Sequence, residues 1–190
     1  MRTVLAVIAV LLIVVPPAPA MEISGIELAP TFTVDDTQLV LNGAGLREKL
    51  WVDVYVGALY LPEKMDSGEK ILAADEPMVM RMHFVRAGVS PEQLQDSWRE
   101  SLGQTVDPQK MKDLEDNIQA FIRAFDTETE KGTVYDIVYL PEQGLSVRVN
   151  GEQKAVVGGL EMKKAVFGVW LGDPPAKGLR KMKDPLLGEK

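Results

Sequence analysis

Alternation of apolar and polar positions is clearest between Leu50 and Leu61, in "LWVDVYVGALYL". Val52, Val54, Val56, Ala58 and Tyr60 form a fully apolar set, while Trp51, Asp53, Tyr55 and Gly57 form a mixed one. A period of two means a strand with one face on a core and the other on something partly polar. Just before it, Gly43-Ala44-Gly45 reads as a glycine-rich turn, which places Arg47 at the strand entrance. Upstream, "ISGIEL" and "TQLVLNG" are short, β-branched and bounded by Pro, Asp and Gly, so they predict two further strands. "EKILAAD" predicts a short helix and "PMVMRMHFV" the next strand.

The period then changes. "SPEQLQDSWRESL" opens with Ser90 as N-cap and Pro91 at the first helical position, and Leu94, Trp98 and Leu102 recur every four residues along one stripe. "DPQKMKDLEDNIQAFIRAFD" repeats the signal as one helix. Asp107 caps it, Pro108 follows, and Met111, Leu114, Ile118, Phe121, Ile122 and Phe125 share a face. "VYDIVYLP" and "GLSVRVNGEQKAVVGG" return to strands. Asn150-Gly151 lies between two alternating runs, a strong hairpin signal because a type I′ turn needs positive φ at both central residues. "LEMKKAVFGVWLG" predicts an amphipathic helix ending at Gly172, and "PPAKGLRKMKDPLLGEK" a short last helix and tail. Strands grouped together, rather than alternating with helices, predict an α+β fold. It is an antiparallel sheet with helices packed on one face.

Composition narrows the function classes. The chain has 190 residues, 46% hydrophobic and 26% charged, which suits one globular domain. Its formal net charge is −7 with no basic stripe, which argues against nucleic-acid binding. The first twenty residues read differently. Arg2 is followed by an apolar run from Val4 to Val15, then by Pro16-Pro17 and Ala18-Pro19-Ala20. That is the layout of a secretory signal peptide cut after Ala20, leaving residues 21–190 as a single domain in the periplasm or outside the cell. The run is shorter than the ~20 apolar residues of a spanning helix, so no stable membrane span is expected after cleavage; the alternative reading is an uncleaved membrane anchor. The absence of cysteine excludes disulfides and thiolate chemistry. The single histidine, His83, excludes a histidine-cluster metal site and argues against a Ser-His-Asp triad. No metal or cofactor is expected.

The ordered set "GAGLR…VDVYVGALYLP", a capped helix pair, "KGTVYDIVYLPEQGLSVRVNGEQ" and "KKAVFGVWLGDPP" resembles the chalcone isomerase-like family, in particular its bacterial exported branch. The resemblance runs from about Ile23 to Gly188. It implies the chalcone isomerase fold, an open-faced β-sandwich whose large antiparallel sheet is covered by helices, with a ligand cleft between the layers. In the plant enzymes that cleft closes a chalcone to a flavanone without a cofactor. In fatty-acid-binding members it holds a fatty acid whose carboxylate meets an arginine and a tyrosine. Arg47 matches the family's cleft arginine, and Tyr55 the position that is tyrosine in the binding branch. The isomerases carry a tyrosine and an asparagine on the helix after the middle strand; alignment there places Leu94 and Ser101, with Phe167 near the last cleft position. The chain has no tyrosine between Tyr60 and Tyr135.

Arg47 and Tyr55 are therefore the candidate ligand-binding residues, and no catalytic residue is assigned. Arginine stays charged and presents a planar fork of donors, which suits a carboxylate or a developing phenolate equally. Alternatively Arg47 is a surface charge paired with Glu48 or Asp53, which contributes ~0–1 kcal/mol. Trp51, Trp98 and Trp170 could line a cleft or fill a core; the helical positions favour core for Trp98 and Trp170. Met78, Met80 and Met82 share a strand face suited to packing against helices or to a cleft accepting varied acyl chains. Three functions remain open: binding of a small amphipathic ligand such as a fatty acid, a cofactor-independent isomerase of the chalcone type, or a structural module with an empty cleft.

Overall fold

The computed structural model describes residues 21–174 and 176–189. The signal peptide expected over residues 1–20 lies outside the described residues. A small hairpin, β1 (Met21–Ile23) and β2 (Ile26–Leu28), precedes a seven-stranded antiparallel sheet. The sheet runs in chain order: β3 (Thr31–Val34), β4 (Thr37–Lys49), β5 (Val52–Leu61), β6 (Met78–Phe84), β7 (Val134–Leu140), β8 (Gly144–Val149) and β9 (Glu152–Val157). The helices among the described residues are α1 (Gly68–Ala73), α2 (Pro91–Thr105), α3 (Pro108–Asp113), α4 (Glu115–Arg123), α5 (Leu160–Leu171) and α6 (Lys177–Leu186).

Period-two patterning divides the sheet cleanly. Met78, Met80, Met82 and Phe84 of β6, with Tyr135, Ile137 and Tyr139 of β7, face the helices and merge with Trp98, Phe121 and Trp170 into the main core. The intervening Val79 and Val138 join Val56, Ala58 and Tyr60 in a second cluster on the opposite face, under Leu28 and Val34. That opposite face also carries Arg81, which donates to both Asp136 carboxylate oxygens at 2.7 and 2.9 Å and lies over the Phe32 ring. On β5 the helices are met from the face of Tyr55 and Gly57, and Tyr55, Leu59 and Leu61 belong to the main core.

Several expectations need correction. Gly43-Ala44-Gly45 is strand, not turn; β4 runs on for 13 residues. These glycines serve close packing. A Cβ on Gly43 would overlap the Pro185 carbonyl and come within 2.7 Å of that of Leu186, and one on Gly45 would stand 3.2 Å from the Met182 Cα. With Gly57 on β5, whose added Cβ would meet Met182 Cε at 2.5 Å, they form a shallow trough that seats α6. Asn42 pins the same junction. Its amide donates to the Met65 and Leu186 carbonyls at 2.9 and 2.8 Å, and its oxygen accepts from the Met65 N–H at 2.7 Å.

The helix expected from Asp107 is two, α3 and α4, broken at Leu114. Ser90 and Asp107 cap as expected, and Gln93 completes a capping box with Ser90. Helix α5 is not amphipathic but buried over most of its circumference, Lys163 included, because the sheet, α1, α2 and α6 surround it. The Lys163 ammonium donates to the carbonyls of Ile71, Leu72 and Ala74 at 2.7–2.9 Å, closing the end of α1. Burial pulls its pKa down to about 8.

Candidate functional site

The β4–β5 hairpin builds one side of the site through an irregularity in its register. Arg47 pairs with Tyr55, but Glu48 pairs with Asp53, so Val54 is left over as a bulge. A bulge resets the in–out alternation. Val52 and Val54, which strict alternation would place opposite Tyr55, therefore join it on the helix side. There they line a cavity of about 530 Å³. Met82 and Phe84 of β6, Leu94 and Trp98 of α2, Val169 and Trp170 of α5, and Leu179 of α6 supply most of the rest of its apolar wall.

Both residues proposed from the sequence border this cavity. Arg47 is half-buried, and its Nη1 donates to the Glu48 carbonyl. No carboxylate lies within salt-bridge distance of it among the described residues. Glu48 is taken by Lys181 at 2.7 Å, so the surface pairing of Arg47 with Glu48 or Asp53 does not form. The guanidinium lies instead against the first turn of α6, where a Cβ on Gly178 would collide with it. That turn carries neither an acidic residue nor a side-chain cap. The positive end of α6 thus adds to the arginine's charge at the same corner.

Tyr55 is 7% exposed and sits across the strand pair from Arg47. Its hydroxyl accepts a 3.0 Å hydrogen bond from the Trp170 indole nitrogen. Indole is a donor only, so the phenol oxygen must be the acceptor and the phenol proton remains available. Burial raises the Tyr55 pKa, while Arg47 and the Trp170 bond oppose the rise. The phenol is therefore neutral at physiological pH, a donor on a residue that borders the same cavity as Arg47.

Other side chains sort as follows. Trp98 and Trp170 are core residues, 5% and 1% exposed, whose edges also form cavity wall. They meet edge-to-face at 5.4 Å. Trp51 does neither, being 95% exposed at the hairpin tip. Met82 reaches the cavity, whereas Met78 and Met80 only pack. Leu94, Ser97 and Ser101 line it from α2, and Phe167 is fully buried away from it. Sequence reasoning missed Lys49, Arg86, Asp96 and Glu100, charged residues around the opening; nothing in local pattern distinguishes them from solvated surface. It also missed the Tyr55–Trp170 bond, whose partners are 115 positions apart. No group of acidic or histidine side chains able to hold a metal occurs among the described residues.

The sequence matches the family model described as chalcone isomerase-like over residues 20–188. The chain belongs to the chalcone isomerase-like family. Among solved structures, this chalcone isomerase-like chain is similar to a fatty-acid binding protein of Arabidopsis thaliana. The TM-score is 0.67 and the identity 19%, covering 87% of this chain and 93% of the other. That likeness shows a shared fold, a large antiparallel sheet covered by a helical layer. No curated protein matches the sequence.

Proposed function

We propose that this chalcone isomerase-like protein is exported to the periplasm and binds a small amphipathic ligand of the fatty-acid type in the cavity between sheet and helices. The observation that carries the reading is a guanidinium with no carboxylate partner among the described residues, paired across the strands with a phenol that has a proton to spare, beside the apolar wall of a hollow whose opening is polar. An acyl chain fits the wall of Val54, Met82, Phe84, Leu94, Trp98 and Val169, and a carboxylate fits Arg47 and Tyr55. The volume falls in the roughly 300–1,000 Å³ range of small-molecule sites. The similar Arabidopsis protein is a fatty-acid binding protein, which agrees with this reading. Leu94 and Ser101, near the places of the isomerases' tyrosine and asparagine, both border the cavity. A leucine cannot orient a water or a ketone, so the arrangement favours holding an anion over transforming it.

Native mass spectrometry of the purified protein tests for a co-purifying lipid, and calorimetry with a long-chain fatty acid and its matching alcohol tests the polar corner. We expect Arg47→Gln to weaken the acid by about tenfold or more, from loss of a charge-assisted bond, and to leave the alcohol nearly unchanged. Equal losses for acid and alcohol, or no binding of either by the native chain, would reject the proposal.

A further inference from the structure

The tip of the β4–β5 hairpin breaks two rules at once. Its two central residues are Leu50 and Trp51, and both have positive φ, 50° and 68°. Such a turn favours glycine and asparagine, because a side chain in the left-handed region crowds its own backbone. The chain observes this preference elsewhere. The tips of β1–β2 and β8–β9 carry Ser24-Gly25 and Asn150-Gly151, also at positive φ. Leu50 and Trp51 are moreover 84% and 95% exposed, and Val52 beside them is 36% exposed. Nothing in the fold is gained by placing the chain's one exposed tryptophan there. Trp98 and Trp170, the other two, are buried.

The position of the tip supplies a reason. Leu50 and Val52 border the opening of the cavity, with Lys49, Arg47 and Arg86 on the strand side of the same opening. These cations sit beside the apolar tip in a chain of net charge −7. Glu48 is tied to Lys181, Asp53 is exposed on β5, and Asp96 and Glu100 lie on α2 across the opening. An exposed Trp-Leu pair flanked by lysine and arginine is the composition that settles into the headgroup region of a bilayer. There the indole sits at the boundary and the cations meet anionic lipid.

We propose that the Leu50–Trp51 hairpin tip docks this protein on an anionic membrane surface, with the mouth of the cavity turned toward the lipid. The proposed contact is through the hairpin tip; no helix among the described residues is long and apolar enough to cross a membrane. The proposal holds whether or not the cavity takes a fatty acid, and its test uses vesicles alone.

The experiment expresses the chain from its first residue and purifies it as the cell leaves it. It follows tryptophan emission on adding phosphatidylglycerol-rich or phosphatidylcholine vesicles, with and without brominated acyl chains. Trp98 and Trp170 are already buried, so a blue shift reports Trp51; because both also border the cavity, bromine quenching is assigned to Trp51 as the part lost in Trp51→Phe. The expected result is a shift and quenching on anionic vesicles that weaken with salt, about fivefold in partition coefficient for each cation engaged. The companion variant, Leu50→Asn with Trp51→Gly, installs the favoured turn residues. It should raise the melting temperature while lowering vesicle partitioning by about tenfold or more, the worth of one buried large side chain. For this variant, which lacks Trp51, partitioning is read by co-flotation with the vesicles. The proposal is overturned if Trp51 is neither shifted nor quenched by anionic vesicles, or if the variant floats as well as the native chain. It is equally overturned if the tip instead holds two copies together, seen as a dimer that the variant dissociates without any vesicle contact.

Discussion

Replacing Tyr55 by phenylalanine separates the structural from the binding role of its hydroxyl. The ring stays, so the 5.5 Å contact with Phe84 and the packing in the core are kept. What is lost is the acceptor for the Trp170 indole N–H, a group on a side chain only 1% exposed. An orphaned buried donor costs ~1–3 kcal/mol. A water entering from the adjoining cavity would hold the cost to the lower end of that span. For a chain of this size each kcal/mol moves the melting temperature by about 2–4 °C, so calorimetry should show a fall of roughly 2–12 °C. The phenol proton is lost as well. If it meets a ligand carboxylate, that removal costs ~1.5–3 kcal/mol of binding, or roughly 10–150-fold in Kd for a fatty acid. The two effects are measured separately, by scanning the ligand-free protein and titrating at a temperature where both proteins are folded. An unchanged melting temperature would refute the buried hydrogen bond. A lower melting temperature with unchanged fatty-acid affinity would leave the bond standing and remove Tyr55 from the site.

Two other outcomes follow from packing and burial. Gly43→Ala places a methyl against the Pro185 and Leu186 carbonyls of α6. It should cost ~1–3 kcal/mol by urea denaturation and weaken ligand binding, because α6 carries Leu179 on the cavity wall; wild-type stability would show that the trough is loose. Lys163→Met leaves three carbonyls without their donor and should cost about 2–4 kcal/mol at pH 7. Because burial brings the folded pKa of Lys163 to about 8, below the ordinary lysine value, the unfolded chain holds more protons between about pH 8 and 10.5. Stability of the native chain relative to Lys163→Met should therefore rise across that window, and a flat or falling difference would contradict the burial.

What the sequence made legible was whatever depends on neighbours in the chain. Alternation in β6 and β7, the Ser90 and Asp107 caps and the Asn150-Gly151 turn are all decided within a few residues, and each appears where the pattern places it. The unread parts depend on residues far apart. Gly43 and Gly45 look like a turn until α6, about 140 positions later, is laid across them. The alternation of β5 gives no hint of the bulge at Val54, so Val52 and Val54 could not be separated from the rest of the apolar set and assigned to the cavity. Helix α5 reads as amphipathic because Lys163 and Lys164 interrupt it, yet one of those lysines is fully buried on carbonyl acceptors. Arg47 and Tyr55 could be named from resemblance, but that they flank one hollow is a result of sheet pairing alone.

The seating of α6 has a consequence for how the protein matures. Every pairing within the seven-stranded sheet joins strands consecutive in the chain, so each needs only its neighbour in sequence to form. The clasp between Asn42 and Leu186 instead spans 144 positions and waits for the final helix. Gly178, against which the arginine rests, and Leu179 of the wall arrive with it. A chain in which α6 has not seated would thus own a nearly complete sheet but an unfinished receptacle. Any occupant of that space therefore depends on α6 having seated.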